Sequence, residues 1–164
     1  MPVVNAILAE IEQESKTTRK VLERVPQDKL NWKPHEKSMS LGRLAWHLAF
    51  IPSRVLSMLG EAAFDMAAAG PTTPPESTDE ILAGFDKNYG DIRQYLQSID
   101  DAALREPFTL RRGDRVILSM PKLGVVRAIL LNHTYHHRGQ LSVYLRLLDV
   151  AVPSIYGPTA DETV

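Results

Sequence analysis

Two histidines spaced four residues apart, inside a long apolar-periodic segment, constrain this chain more than any other feature. Residues 131–140 read LNHTYHHRGQ and contain three of the five histidines. On a helix, His133 and His137 share one face, about one turn apart. Two such imidazoles can hold one side of a metal ion, so a third ligand must come from another element. His47, in a second apolar-periodic segment, is the candidate for that ligand.

The same two histidines also allow a simpler interpretation as core residues. They continue an apolar stripe with steps of three and four residues, namely Val126, Leu130, His133, His137, Leu141, Tyr144 and Leu148. A lone histidine on such a face is more often a hydrogen-bonded core residue than a ligand. Burying two neutral imidazoles costs free energy unless both find partners, and a divalent cation would satisfy both. The residues alone leave the two interpretations open.

Neighbouring polar residues extend the candidate site. Gln140 lies seven residues after His133 and on its face, which predicts either a contact with a ligand or substrate or an interhelical hydrogen bond. Tyr144 is the other candidate for such an indirect role. His136 points about 100° away from His137 around the helix. We therefore interpret His136 as an interhelical or subunit-interface residue.

Three neutral ligands would leave coordination positions for water or substrate, as in catalytic metal sites. Imidazole suits zinc, nickel, copper and iron and does not select strongly among them. A bound cation would lower the pKa of water toward neutrality and would deprotonate a bound thiol. The site therefore predicts either hydrolysis or thiol chemistry on a small-molecule substrate.

Composition narrows the class of protein. The 164 residues, 44% hydrophobic and 24% charged, predict one globular domain over residues 1–164. The 19 basic and 20 acidic side chains give a net charge of -1, which argues against a nucleic-acid partner. The absence of cysteine excludes disulfides and thiolate ligands. Neither a signal peptide nor a membrane span is recognisable, so we expect a cytoplasmic protein.

Periodicity predicts an all-α fold, a four-helix bundle with a short β-hairpin before the last helix. The predicted helices cover residues 2–25, 41–59, 78–99 and 121–150, and the predicted hairpin covers residues 107–119. Ser40 and Ser77 are the predicted N-caps of the second and third helices, with Glu80 completing a capping box. A crossover of residues 61–76 joins those two helices, and the tail at residues 152–158 is expected to pack back on the bundle.

Two details inside the helices bear on the site. Glu14 and Thr18 interrupt the apolar stripe of the first helix, and we expect them in solvent because charged residues are rarely buried unpaired. The alternative is that they face an internal polar site. Pro52 lies inside the second helix and is expected to kink it near His47.

With these residues in place, the chain resembles the DinB/YfiT-like superfamily of metalloenzymes. Three segments carry the resemblance: LAWHLA at residues 44–49, HTYHHRGQL at residues 133–141, and VPSIYGP at residues 152–158, followed by ADE at residues 160–162. Their order and spacing cover nearly the whole chain. The most specific of them is the second, with its His-x-x-x-His-Arg-Gly-Gln pattern.

The resemblance implies an up-down-down-up four-helix bundle and a divalent metal, usually nickel or zinc, on His47, His133 and His137. It also implies homodimers, and enzymes of the superfamily include thiol-dependent S-transferases and a mycothiol-dependent isomerase. The leading hypothesis is therefore a metal-dependent transferase that joins a low-molecular-weight thiol to an electrophilic substrate. The alternatives are a metal-dependent hydrolase that uses metal-bound water, and a non-enzymatic, metal-stabilised dimeric helical module.

Overall fold

The computed structural model describes residues 1–68 and 73–163. Four long helical segments dominate it: α1 (Val3–Leu22), α2 (Leu41–Leu59), α3 (Thr78–Gln97) and a final helical run from Lys122 to Leu147. The predicted helical bundle is confirmed. In the described part of the chain, no helix has both the length and the apolar composition needed to cross a membrane. Residues 69–72 of the predicted crossover lie outside the described residues.

Side-chain caps fix where the helices begin. The hydroxyl of Ser40 accepts a hydrogen bond from the backbone N–H of Arg43 at 3.2 Å, and Ser77 accepts one from Glu80 at 3.0 Å. Both predicted caps are therefore confirmed. The start of α1 is capped from a distance, because Asp101 accepts the backbone N–H groups of Val3 and Val4 at 2.9 Å each. Asp101 begins a short helix, α4 (Asp101–Arg105), that the sequence pattern did not reveal.

The final helical run changes its winding just before the histidine pair. It comprises α5 (Lys122–Val125), a π-helical segment (Val126–Asn132) and α6 (His133–Leu147). The π-helical turns shift the phase of the helix, and such segments are frequent at functional sites. On α6 the most deeply buried positions are Thr134, Arg138, Leu141 and Leu145. His133 and His137 consequently lie at the edge of the buried face, not at its centre as the apolar stripe suggested.

A small sheet covers one end of the bundle. The predicted hairpin is confirmed as β2 (Pro107–Arg112) paired antiparallel with β3 (Arg115–Pro121). A third strand, β1 (Ala63–Asp65), pairs in parallel with β2 and was not predicted. The hairpin turn contains Gly113 at φ 57°, a left-handed conformation that glycine adopts without strain.

The interior contains more polar groups than the sequence interpretation allowed. Glu14 is 6% exposed and Thr18 is fully buried, so the expectation that they lie in solvent is wrong. Both face an internal polar cluster, which was the alternative.

Pro52 is buried within α2, and the chain is helical on both sides of it. One turn earlier, the carbonyl of Ala49 accepts a hydrogen bond from the buried amide of Asn88 at 3.1 Å.

Candidate metal centre

The rings of His47, His133 and His137 converge on one point between α2 and α6. Nε2 of His133 lies 3.3 Å from Nε2 of His47 and 2.6 Å from Nε2 of His137. One ligand atom from each ring lies within 4.8 Å of the others. The three candidate ligands are thus brought together, although His47 is 86 positions from His133.

Packing of the two helices determines this convergence. Leu44 and Leu48 of α2 are fully buried and flank His47 along its helix, while Leu141 is fully buried one turn after His137. These aliphatic contacts fix the rotation of both helices. His47 and His133 are only half-buried, and His137 is 8% exposed. The centre therefore adjoins buried aliphatic side chains and remains partly exposed to solvent.

The three nitrogen atoms suit a cation better than a hydrogen-bonded cluster. A neutral imidazole nitrogen carries either one proton or one lone pair. Nε2 of His133 has two close nitrogen neighbours, so it cannot form a good hydrogen bond with both. A cation accepts a lone pair from every ring, and a tetrahedral zinc ion places two nitrogen ligands about 3.3 Å apart. The His47–His133 separation matches this value, whereas the His133–His137 pair is closer and would have to open.

Burial keeps these rings neutral near pH 7. It is the main cause that lowers the pKa of His47 from 6.5 to about 4, followed by charge repulsion from the other two histidines. Burial also lowers the pKa of His133 to about 4. The pKa of His137 is lowered by burial too, although its hydrogen bond to Gln140 acts in the opposite direction. Neutral rings have free lone pairs, as metal ligands require.

We expect the metal-free protein to lose stability as the pH falls from about 6.5 toward about 4. In this range the unfolded chain binds protons at His47 and His133 that the folded chain does not bind, so the free energy of unfolding falls. Above about pH 6.5 this contribution is constant. Thermal unfolding of chelator-treated protein across this pH range measures the effect. Asp101 and Asp161, whose pKa values are lowered from 3.8, also reduce the free energy of unfolding as the pH falls, but mainly below this range.

A matched variant isolates the histidines in that measurement. Replacing His47 and His133 together by asparagine removes two of the three rings whose pKa values are lowered, and should reduce the dependence of the melting temperature on pH to the smaller part that His137 contributes. An unchanged slope in the double variant would show that other groups cause the loss.

Comparison with known proteins agrees with the fold. The model of the DinB family matches residues 1–163. The chain belongs to the DinB family. It is 26% identical over 155 residues to the uncharacterized protein YrdA of Bacillus subtilis strain 168, covering 92% of this chain and 86% of that protein.

Solved DinB-like structures share the architecture. A DinB-like protein from Bacillus cereus ATCC 10987 superposes with a TM-score of 0.76 at 25% identity, over 93% of this chain and 97% of that one. The DinB-like protein YjoA of Bacillus subtilis gives a TM-score of 0.72 at 16% identity, over 92% of this chain and 96% of that one. At 16% identity the second likeness concerns the fold alone.

Gln140 contacts one of the three rings in this DinB-family chain. Its Oε1 lies 2.8 Å from Nδ1 of His137. An amide oxygen can only accept, so Nδ1 carries the proton and Nε2 of His137 keeps its lone pair toward the centre. This hydrogen bond lies within α6 and joins Gln140 to a candidate ligand, whereas a role for Gln140 in metal binding stays a prediction. Such outer hydrogen bonds orient metal-binding histidines.

Replacing Gln140 by alanine is therefore expected to weaken metal binding about 10- to 100-fold, the usual effect of removing an outer partner. The measurement is a competition titration against a chelator of known affinity. Gln140→Glu is the matched control, because it keeps an acceptor at the same position and should bind metal at least as well as the original residue. Equal affinities for the alanine and glutamate variants would contradict the role assigned to this hydrogen bond.

Two other candidates have different surroundings. The hydroxyl of Tyr144 donates to the carbonyl of Met39 at 3.3 Å, and its ring meets Trp32 edge-on at 5.7 Å. Within residues 1–68 and 73–163, no hydrogen bond or ring contact joins Tyr144 to the three histidines. His136 is exposed and its ring contacts His137, with centroids 4.9 Å apart. It does not lie between helices of the bundle.

The residue that sequence reasoning missed is Arg138, next to His137. Its guanidinium is 1% exposed and lies 2.7 Å from the carboxylate of Glu14. It also donates to Thr18 Oγ1 at 3.0 Å and to the Tyr156 hydroxyl at 2.5 Å. The Tyr156 hydroxyl in turn donates to Glu14 at 2.8 Å. This polar cluster joins α1, α6 and the C-terminal tail through the residue that follows His137.

Proposed function

We propose that this chain is a metal-dependent enzyme that joins a low-molecular-weight thiol to an electrophilic small molecule. His47, His133 and His137 would hold a divalent ion, with nickel and zinc as the first candidates. The observation that supports the proposal is the convergence of three neutral Nε2 atoms, with no carboxylate of the described residues in their group and no cysteine in the sequence. When bound, the ion would supply the charge that deprotonates a thiol at neutral pH.

The residues of the chain have separable tasks in this proposal. The three histidines supply neutral ligands, and Gln140 fixes the tautomer of His137. The half-exposure of His47 and His133 leaves an approach for the thiol and the electrophile. Leu44 and Leu48 flank His47 along α2, and Leu141 follows His137 by one turn; all three are fully buried and anchor the helix faces that carry the rings.

A panel of thiols and electrophiles tests the proposal. Metal-loaded protein should consume the thiol and the electrophile together and form a thioether, with release of the leaving group where the electrophile carries one, and chelation or His137→Ala should abolish this. Hydrolysis of esters or amides that persists without added thiol would favour the hydrolase instead. Absence of turnover with every pair, together with a melting temperature lowered by chelation, would favour the non-enzymatic module.

A homodimer is part of this proposal, following the resemblance. Exposed side chains at His136, Val143 and Leu147 follow one another at spacings of seven and four residues along α6. Such spacing places them on one outer face of the helix, which a second copy of the chain would cover. Sedimentation velocity measures the assembly state directly.

A further inference from the structure

Two arginines of α2 flank the histidine centre. Arg43 precedes His47 by four residues and Arg54 follows it by seven, so the three residues share one face of the helix. Both guanidinium charges lie close enough to His47 to contribute to the lowering of its pKa. Arg43 is exposed and Arg54 is half-buried, so both remain within reach of a bound molecule.

Within residues 1–68 and 73–163, no acidic side chain lies at salt-bridge distance from Arg43 or Arg54, so no described carboxylate neutralises either arginine. Other arginines of the long helices do form such pairs: Arg19 with Asp86, Arg93 with Glu12, Arg127 with Glu10, Arg138 with Glu14, and Arg146 with Asp161. The guanidinium of Arg54 lies 5.8 Å from the centroid of the Phe64 ring, a contact that positions the charge without cancelling it.

Among the described residues, the group that could hold a cation here consists of His47, His133 and His137 alone, with no carboxylate oxygen among its ligand atoms. Three neutral ligands would leave both charges of a divalent ion uncompensated. An accessible site with such an excess of positive charge attracts anions. This contrasts with the whole chain, whose net charge is -1.

We propose that the molecule bound at this centre carries an anionic group in addition to the group that reaches the histidines, and that Arg43 and Arg54 bind this anion. The inference rests on the proposed function and narrows its substrate to small molecules with a carboxylate, sulfonate or phosphate. Arginine suits this task because its planar fork of N–H donors binds such groups through two parallel hydrogen bonds.

The geometry of α2 predicts which of the two arginines is nearer to a molecule bound at His47. Along the axis of α2, Arg43 is about 6 Å from His47 and Arg54 is about 10 Å from it. An anionic group only a few bonds from a thiol would therefore reach Arg43 first. Arg54 would add a longer-range attraction or bind a second, more distant anionic group.

The test compares thiols of similar size and different charge. Protein loaded with one equivalent of Zn²⁺ is titrated calorimetrically with 3-mercaptopropionate, 2-mercaptoethanesulfonate and neutral 2-mercaptoethanol. The anionic thiols should bind on the order of 10-fold more tightly than the neutral one, the size of effect expected for a charge-assisted hydrogen bond. Comparing the carboxylate with the sulfonate distinguishes a planar from a tetrahedral anion. Added salt should reduce the preference.

Three variants test which arginines cause the preference for anionic thiols. Arg43→Gln should remove most of it, and Arg54→Gln should reduce it less. Arg115→Gln, which removes an exposed arginine from the hairpin strand β3, is the control for charge alone and should leave it unchanged. The affinity for the neutral thiol should stay within about twofold in all three, because that thiol makes no charge-assisted bond.

The outcomes separate this inference from the function on which it rests. Equal affinities for charged and neutral thiols, or a preference that survives replacement of both Arg43 and Arg54, would overturn the anion site alone. Failure of every thiol to bind the zinc-loaded protein would overturn the proposed function and the anion site with it.

Discussion

Replacing His137 by alanine is expected to reduce the metal content of the purified protein from one ion per chain to nearly none. His137 is the most buried of the three rings, and its Nε2 lies 2.6 Å from that of His133. Its loss leaves two nitrogen ligands, on different helices, for an ion that needs at least three from the protein. The affinity for the metal should fall by more than ~100-fold, which is the largest loss usually seen when a residue that only hydrogen-bonds to a metal ligand is replaced.

Elemental analysis after dialysis gives the stoichiometry, and competition with a chelator gives the affinity. His136→Ala is the matched control, since it removes an imidazole from the adjacent, exposed position and should keep one ion per chain. Circular dichroism must show that both variants keep their helices. Full metal content in folded His137→Ala would mean that the three rings are a polar cluster of the core, and the proposed chemistry would have no basis.

The spacing of the histidines predicted their convergence, and the reason is physical. Positions 133 and 137 are neighbours on any helix, so one pair followed from local geometry alone. The addition of His47 depended on its place on the apolar face of a second helix. Once both helices pack by those faces, a polar residue within each face must meet the other. Metal binding by the three rings stays a prediction for the experiment above.

Periodicity did not predict how deeply the rings are buried. It assumed one α-helical phase from residue 121 to residue 150, whereas the π-helical segment Val126–Asn132 rotates the positions after it. A π-helical turn has no strong sequence signature, because it depends on tertiary packing more than on local preference. The strand β1 was missed for a similar reason. Its three residues are too few for an alternating pattern, and its pairing partner lies 46 positions away.

Glu14 and Thr18 are buried, although the pattern of α1 considered alone predicts that they lie in solvent. A charged residue on an apolar stripe is expected in solvent unless it has a partner. The partner of Glu14 is Arg138, which is 124 positions away in the sequence and directly follows His137. Only the packing of α1 against α6 brings the two charges together. The arginine of the His-x-x-x-His-Arg-Gly-Gln pattern is thus a buried structural residue.

Replacing Arg138 by methionine is expected to destabilise the protein by about 3–5 kcal/mol, because Glu14 is left buried without its countercharge. Glu14 is 6% exposed and would keep only the hydrogen bond from the Tyr156 hydroxyl. For a chain of this length, that loss corresponds to a melting temperature lowered by roughly 6–20 °C. Denaturant titration and thermal unfolding, with and without bound metal, measure both quantities.

The double variant Glu14→Leu/Arg138→Met separates the cost of an unpaired charge from the value of the pair itself. Removing both partners leaves no charge in the cluster, and similar replacements of buried ion pairs are often close to neutral. We therefore expect the double variant to recover most of the stability lost in the single one. Tyr156, which is 68% exposed, can replace its lost hydrogen bonds with water. If the double variant is as unstable as Arg138→Met, the loss comes from missing side-chain packing, and the ion pair does not determine how α1 docks on α6.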